Sequence, residues 1–298
     1  MTLRTLAFAL ASAGLTVSAS SITFAQDAGI PLGTGVYPES IASTPGGDLL
    51  IGSAMQGTVY RVPAGTTTAT PWITGIGPTI IGVFAHGDTA YVCSNGPFGS
   101  TDAALKTYDL ASGTETGSYP FPDGGFCSDI AVAPDGTVYV THLQFVEGQA
   151  GRLLRLKDGA LEVVLSDPAL RGLDGIAFLG DRLILNDLFT GALYEVNFGN
   201  QPATYAALTL SEPLKGPDGM RTSEDGTSLL VTEQYGNRLV SVNLDGNTAT
   251  VTPIATDLNG PAGVAQVGTT AYVVEPHFAE MQKGEDPGAF SIRRVPLN

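Results

Sequence analysis

Six segments of this 298-residue sequence open in the same way, near residues 38, 80, 127, 173, 217 and 261, a spacing of 42 to 47 residues. In each, a small or acidic residue leads into a short apolar stretch. A Gly-rich turn follows, then a second apolar stretch, then a third of the kind Leu193-Tyr194-Glu195-Val196. Room remains in each unit for a fourth, as at residues 160–165, 204–210 and 248–255. Helical periodicity is weak throughout, and two stacked sheets would not require six phased repeats. Four short antiparallel strands every 40-odd residues is the pattern of propeller blades. The expected fold is therefore all-β, a six-bladed β-propeller with four-stranded antiparallel blades. The second segment is the most divergent. Ring closure is expected from residues 27–36, supplying an outer strand to the last blade.

The first 25 residues read differently. Arg4 is followed by an acid-free Ala/Leu-rich run, then by Thr23 and Ala25 at the −3 and −1 positions of a possible cleavage before Gln26. This is the grammar of a secretory signal, and the run is too short for a comfortable bilayer span. The division expected is residues 1–25 as signal peptide and 26–298 as the propeller, exported to the periplasm or secreted. With 38 Gly, 19 Pro and 14% charged residues, the remainder is rich in turns and poor in amphipathic helix. The formal charge is −15, and loss of Arg4 makes it about −16. Such acidity argues against nucleic acid and anionic membranes as partners and is compatible with cation binding.

In a propeller blade the first strand lines the central channel. The loop before it and the loop after the second strand lie on one face, because the two strands are antiparallel. The openers are Glu39, Ile81-Gly82, Ser128-Asp129, Asp174, Asp218 and Ala262. The second strands end at Ser53, Ser94-Asn95, His142, Asn186-Asp187, Glu233, and Glu275 with His277. Acids crowded on a narrow axis repel strongly at low dielectric, and a bound divalent cation resolves the conflict. Hard oxygen ligands favour Ca²⁺, with Mg²⁺ or Mn²⁺ as lesser options. Glu39, Asp174 and Asp218 are thus candidate metal ligands, and Ser128, Asp129, Asn186 and Glu233 candidate substrate contacts. Asp218 and His142 are candidate general bases.

Plainer roles stand beside these. Asp129 is also suited to cap a turn or pin a neighbouring loop, and His142 to be a packed structural histidine. His277 sits in an irregular charged insertion, residues 275–287, which reads equally as a lid or as a solvated loop. Asp135-Gly136 and Asp225-Gly226 fall between strands one and two and read as turns, and Trp72 reads as blade packing. Cys93 ends a second strand and Cys127 opens the first strand of the next blade, so the fold makes a disulfide geometrically plausible.

Pro38-Glu39-Ser40, Leu173-Asp174-Gly175 and Pro217-Asp218-Gly219-Met220 resemble the metal-binding openers of the gluconolactonase/regucalcin (senescence-marker-protein-like) family of calcium-dependent six-bladed propellers. The resemblance implies that Glu39 and Asp218 take the family's Glu and Asp ligand roles. Asp174 stands where the family usually has Asn, which adds charge. Ser128 stands where a substrate-contacting Asn is usual, which weakens the case for a sugar-acid lactone. The implied chemistry is metal-dependent hydrolysis of a lactone or ester, with Asp218, a nearby acid or His142 deprotonating water. No Gly-x-Ser-x-Gly elbow supports a serine-esterase route.

Three functions fit this reading. The first is an exported metal-dependent lactonase or esterase with a small-molecule substrate, monomeric. The second is a non-catalytic propeller serving as a ligand- or protein-binding scaffold. The third is a strictosidine-synthase-like or lyase-type enzyme. Apolar residues expected at the mouth, Ile80, Ile81, Phe98, Phe126, Phe145, Phe189 and Tyr235, suit either a substrate wall or a partner surface.

Overall fold

Each predicted opener begins an inner strand: Pro38–Ser43, Thr79–His86, Cys127–Val132, Leu173–Leu179, Pro217–Thr222 and Gly263–Val267. The computed structural model describes residues 29–297, and these form six sheets, each built outward from one inner strand. The signal segment read at residues 1–25 lies outside the described residues. Among the described residues no helix is long and apolar enough to cross a membrane.

The sixth sheet closes the ring. Ile30–Thr34 pairs antiparallel with Ala289–Pro296, Ile30 opposite Ile292, and becomes the outer strand of the last blade. The first and last strands of the described residues thereby share one blade, and the sheet ring has no gap. One blade departs from the four-stranded expectation. Residues 204–210 are not a single strand: Thr204–Ala207 completes blade four, while Thr209–Leu210 crosses to pair parallel with Thr248–Ala255 of blade five. The switch occurs at Leu208, which buries its side chain in the cluster between the two blades. Its N–H still bonds Leu193 of blade four (2.9 Å), whereas the N–H of Thr209 already bonds Asn247 of blade five (2.9 Å).

The core is divided among the junctions between blades. Separate apolar clusters fill the spaces between successive blades: Val59 and Ile73 meet Val83 and Val92, Leu153 meets Ile176 and Leu185, and Ile184 meets Met220 and Val231. Strands covered on both faces read as continuous apolar runs. That is why Leu49–Ser53 is buried at every position. Each fully buried aliphatic chain contributes about 1.5–3 kcal/mol. Ile80, expected at the mouth, belongs instead to the junction of blades one and two. Trp72 packs beside that cluster, as expected, with the Arg61 guanidinium 5.2 Å from its ring centroid. Cys93 and Cys127 are joined across blades two and three, Cα to Cα 5.1 Å. Asp135-Gly136 and Asp225-Gly226 are tight turns, the Asp side chain in each accepting from the N–H two residues on.

Candidate functional site

Five of the six inner strands begin with the same irregularity. Register slips between Pro38 and Ser40, Ile80 and Val83, Cys127 and Ile130, Leu173 and Ile176, and Pro217 and Met220. A bulge sets two residues against one and re-aims side chains. Two consecutive residues of these inner strands can therefore face the axis. The first ring is Glu39, Ile81, Ser128, Asp174, Asp218 and Ala262, and the second includes Ser40, Gly82, Asp129, Gly219 and Gly263. The second ring is small because the blades nearly touch there. A Cβ on Gly175 would lie 2.3 Å from the Asp218 carbonyl oxygen, and one on Gly219 2.4 Å from that of Ala262.

The rings enclose a hole of about 10 Å³, room for roughly one water-sized particle. Glu39, Asp174 and Asp218 surround it, all buried. Burial pushes the Glu39 carboxyl well above the usual range, and the charges of Asp174 and Asp129 push it further, against the pull of Arg221. Burial likewise raises Asp218, reinforced by Asp174, Glu39 and Asp129. Asp174 is raised to about 7, chiefly by burial and then by Asp129 and Asp187, although a hydrogen bond from Ser128 opposes the shift. The Ser128 hydroxyl donates to Asp174 Oδ1, and Gln234 Nε2 donates to Asp218 Oδ2 at 2.8 Å. The donor set, three carboxylates without nitrogen or sulfur, suits a hard divalent cation. In their present hydrogen-bonded arrangement, no three His, Cys, Asp or Glu side chains among the described residues converge as ligands.

The remaining expected site residues have other partners. Asp129 lines the hole, but its carboxylate is gripped by Arg221 at 2.6 and 3.0 Å. Asn186 and Glu233 line neither the hole nor the mouth above it. Asn186 accepts from the Gly175 N–H (2.8 Å) and donates to the Asp218 carbonyl oxygen (2.5 Å), holding two openers in place. Glu233 is fully buried, accepts from the Lys215 N–H (2.7 Å) and is paired with Arg238. His142 stands apart from the carboxylates, on a neighbouring cavity of about 330 Å³ between the loops of blades two and three. Its Nδ1 accepts from Arg152 Nε at 2.8 Å. Burial, and then the Arg152 charge, lower its pKa to about 4.

Above the hole the mouth widens into a funnel of about 260 Å³. Its floor is Glu39, Ser128, Asp174 and Asp218, and its wall is largely apolar. The insertion at residues 275–287 contributes a short helix, Phe278–Lys283, whose Phe278, Met281 and Gln282 face the funnel. His277 precedes this helix in a left-handed conformation (φ 55°), its ring 5.4 Å from that of Phe290.

Sequence reasoning missed Arg221. It lies on the inner strand of blade five, three residues after Asp218, and reaches across the bore. Besides gripping Asp129 of blade three, it donates to the Val83 carbonyl oxygen of blade two (3.1 Å) and lies over the Phe84 ring at 5.4 Å. Its Nε is buried and has no hydrogen-bond partner among the described residues. The signal was present: Arg221 occupies the position held by Ala42, Ala131, Ala177 and Ala265 in four other repeats. Gln234 was also missed, although it directly follows the end of a second strand.

No protein-family model matches this sequence, and no curated protein matches it. Solved structures do resemble it. A luciferin-regenerating enzyme superposes with a TM-score of 0.68 at 15% identity, over 89% of this chain and 92% of that one. Regucalcin from Agrobacterium tumefaciens, a calcium-binding protein, gives 0.62 at 13% identity, over 90% and 96%. Virginiamycin B lyase from Staphylococcus aureus gives 0.61 at 16% identity, over 90% and 88%. At such identities the likeness establishes the six-bladed propeller fold, which enzymes of several kinds share.

Proposed function

We propose that this protein is an exported, metal-dependent hydrolase of lactones or esters. The observation that carries the reading is that Glu39, Asp174 and Asp218, from blades one, four and five, all line the floor of one apolar funnel as buried acids of raised pKa. Three such groups cannot all ionise cheaply without a compensating positive charge, and the Arg221 guanidinium is engaged by Asp129. Glu39, Asp174 and Asp218 would hold a divalent cation, Ca²⁺ by donor type. When bound, the cation supplies Lewis acidity toward a carbonyl oxygen.

The chain's own residues do the rest. Ser128 and Gln234 hold the carboxylates of Asp174 and Asp218 in place, and the funnel wall limits water around the carbonyl. Hydrolysis forms a bond from a water oxygen to the acyl carbon and breaks the acyl carbon–alkoxy oxygen bond. The proton lost by water goes to a floor carboxylate, with Asp218 the favoured base, and passes to the departing oxygen. His142 suits this role less well, because it opens on the adjacent cavity and its Nδ1 lone pair is taken by Arg152.

The absence of a converged ligand set among the described residues favours a second reading, a ligand-binding scaffold without turnover. One experiment separates the two. Ca²⁺ is titrated into metal-free protein while thermal stability and hydrolysis of a lactone panel are followed, with Asp218→Asn alongside. Ca²⁺-dependent stabilisation with turnover in the wild type only supports the hydrolase. Stabilisation without turnover supports the scaffold. No response to Ca²⁺ refutes the metal assignment.

A further inference from the structure

The loops that follow the second strands repeat a feature in blade after blade. Phe98, Phe145, Phe189, Tyr235 and Phe278, from blades two to six, all line the funnel. Most of them are exposed: Phe98 48%, Phe145 55% and Tyr235 61%. Beneath this collar Ile81, Leu143 and Leu188 pack together as a buried apolar group. Solvent-facing apolar rings concentrated on one concavity mark a binding surface, and about 260 Å³ is the scale of a small molecule.

The polar complement of the wall is sparse. Above the floor it consists of Gln234, whose amide is already engaged by Asp218, the Tyr235 hydroxyl and Gln282. No lysine, arginine or histidine among the described residues lines the funnel, and the floor is acidic, so an anionic ligand finds no counter-charge there. A polyhydroxylated ring would bury hydroxyls without partners, each costing roughly tenfold or more in affinity. A hydrocarbon tail meets only apolar wall and gains about fourfold for each methylene removed from water.

We propose that the funnel takes an uncharged carbonyl compound bearing a hydrocarbon or aryl tail, with the tail in the collar and the carbonyl toward Glu39, Asp174 and Asp218. On the hydrolase reading, on which the word substrate rests, the substrates are alkyl or aryl lactones and esters, and sugar-acid lactones are poor ones.

The test separates binding from turnover. Calorimetry on the full chain in Ca²⁺-containing buffer compares cyclopentanone with the ketone made by replacing the ring oxygen of γ-decalactone with a methylene. Neither can be hydrolysed. Burial of three or four chain carbons gives roughly 100-fold tighter binding of the tailed ketone. Phe145→Ser and Tyr235→Ser, both at exposed positions, reduce that advantage several-fold without weakening cyclopentanone. Equal affinity for the two ketones, or tighter binding of D-glucono-δ-lactone than of γ-decalactone, overturns the proposal. If the tailed ketone binds as expected but γ-decalactone is not hydrolysed, the ligand class stands and the hydrolase reading fails.

Discussion

Replacing Arg221 with methionine tests whether one side chain both closes the bore and neutralises its fourth acid. Arg221 and Asp129 are 11% and 8% exposed as side chains and meet through two hydrogen bonds, so the pair is largely desolvated. Removing one member of such a pair leaves a buried charge uncompensated, at a cost of about 3–5 kcal/mol. Here the orphaned carboxylate would also face Glu39 and Asp218, both of which already feel its charge. Removing both charges is much milder, because an apolar replacement of similar volume is often near neutral. The lost bond to Val83 and the lost contact with Phe84 keep the double change from being silent. The assay is a double-mutant cycle in urea at pH 7 on wild type, Arg221→Met, Asp129→Asn and the double variant. Each single variant should lose about 3–5 kcal/mol, and the double should come within about 2 kcal/mol of wild type. If the double loses the sum of the two singles, the residues are uncoupled and the argument for a charged crossbar is refuted.

Three further predictions follow from the same geometry. Asp174 is held near 7 against an ordinary 3.8, so the folded state binds its proton more tightly than the unfolded state does. That stability is present below pH 3.8 and is lost as pH rises through about 7. Relative to Asp174→Asn, the metal-free wild type should therefore weaken across this window in denaturation curves, and millimolar Ca²⁺ should abolish the trend. His142 runs the opposite way, with a folded pKa of about 4 against 6.5. Its contribution is full above 6.5 and lost as pH falls through 4. Its imidazole signal in NMR should titrate near 4, and a midpoint near 6.5 would contradict its burial beside Arg152. Finally, Cys93→Ser with Cys127→Ser opens a cross-link spanning 34 residues, and urea unfolding should show a loss of about 3–4 kcal/mol.

The propeller was legible because its physics is periodic. A strand buried on both faces must be an unbroken apolar run, and six such runs recur in phase, so the blade count was written in the spacing. The closing strand was legible for a related reason: a ring of sheets needs an outer strand for its last blade, and residues near Ile30 were left over. The split of residues 204–210 was not legible. Both halves suit a strand, and the choice between blades is made by Leu208 filling a space that exists only once two blades have docked. Ile80 misled for a similar reason. Its place at the start of the second repeat, next to the opener Ile81, suggested the mouth, but the bulge between Ile80 and Val83 turns Ile81 to the axis and leaves Ile80 in the core.

The axis divides along the same line. Residues opening the inner strands could be assigned to the channel from their phase in the repeat, which is how Glu39, Asp174 and Asp218 were found. Residues ending the second strands could not be assigned in this way, because such ends also tie neighbouring segments together. Asn186 and Glu233 are those ties. What phase alone could not reveal is reach. Arg221 sits one turn of the pleat below the acids, where most other blades carry alanine, and only a long side chain on one blade can bond to blades two and three together. Its pairing with Asp129 separates the acidic hole from the cavity of about 280 Å³ on the opposite face, which Ala42, Ala131, Ala177 and Ala265 help to line. On the proposed function, a ligand for the floor acids then arrives through the aromatic funnel. On the same proposed function, selectivity is decided by the loops after the second strands, whose apolar residues vary in size from blade to blade, and the inner strands below them serve to fix the acids.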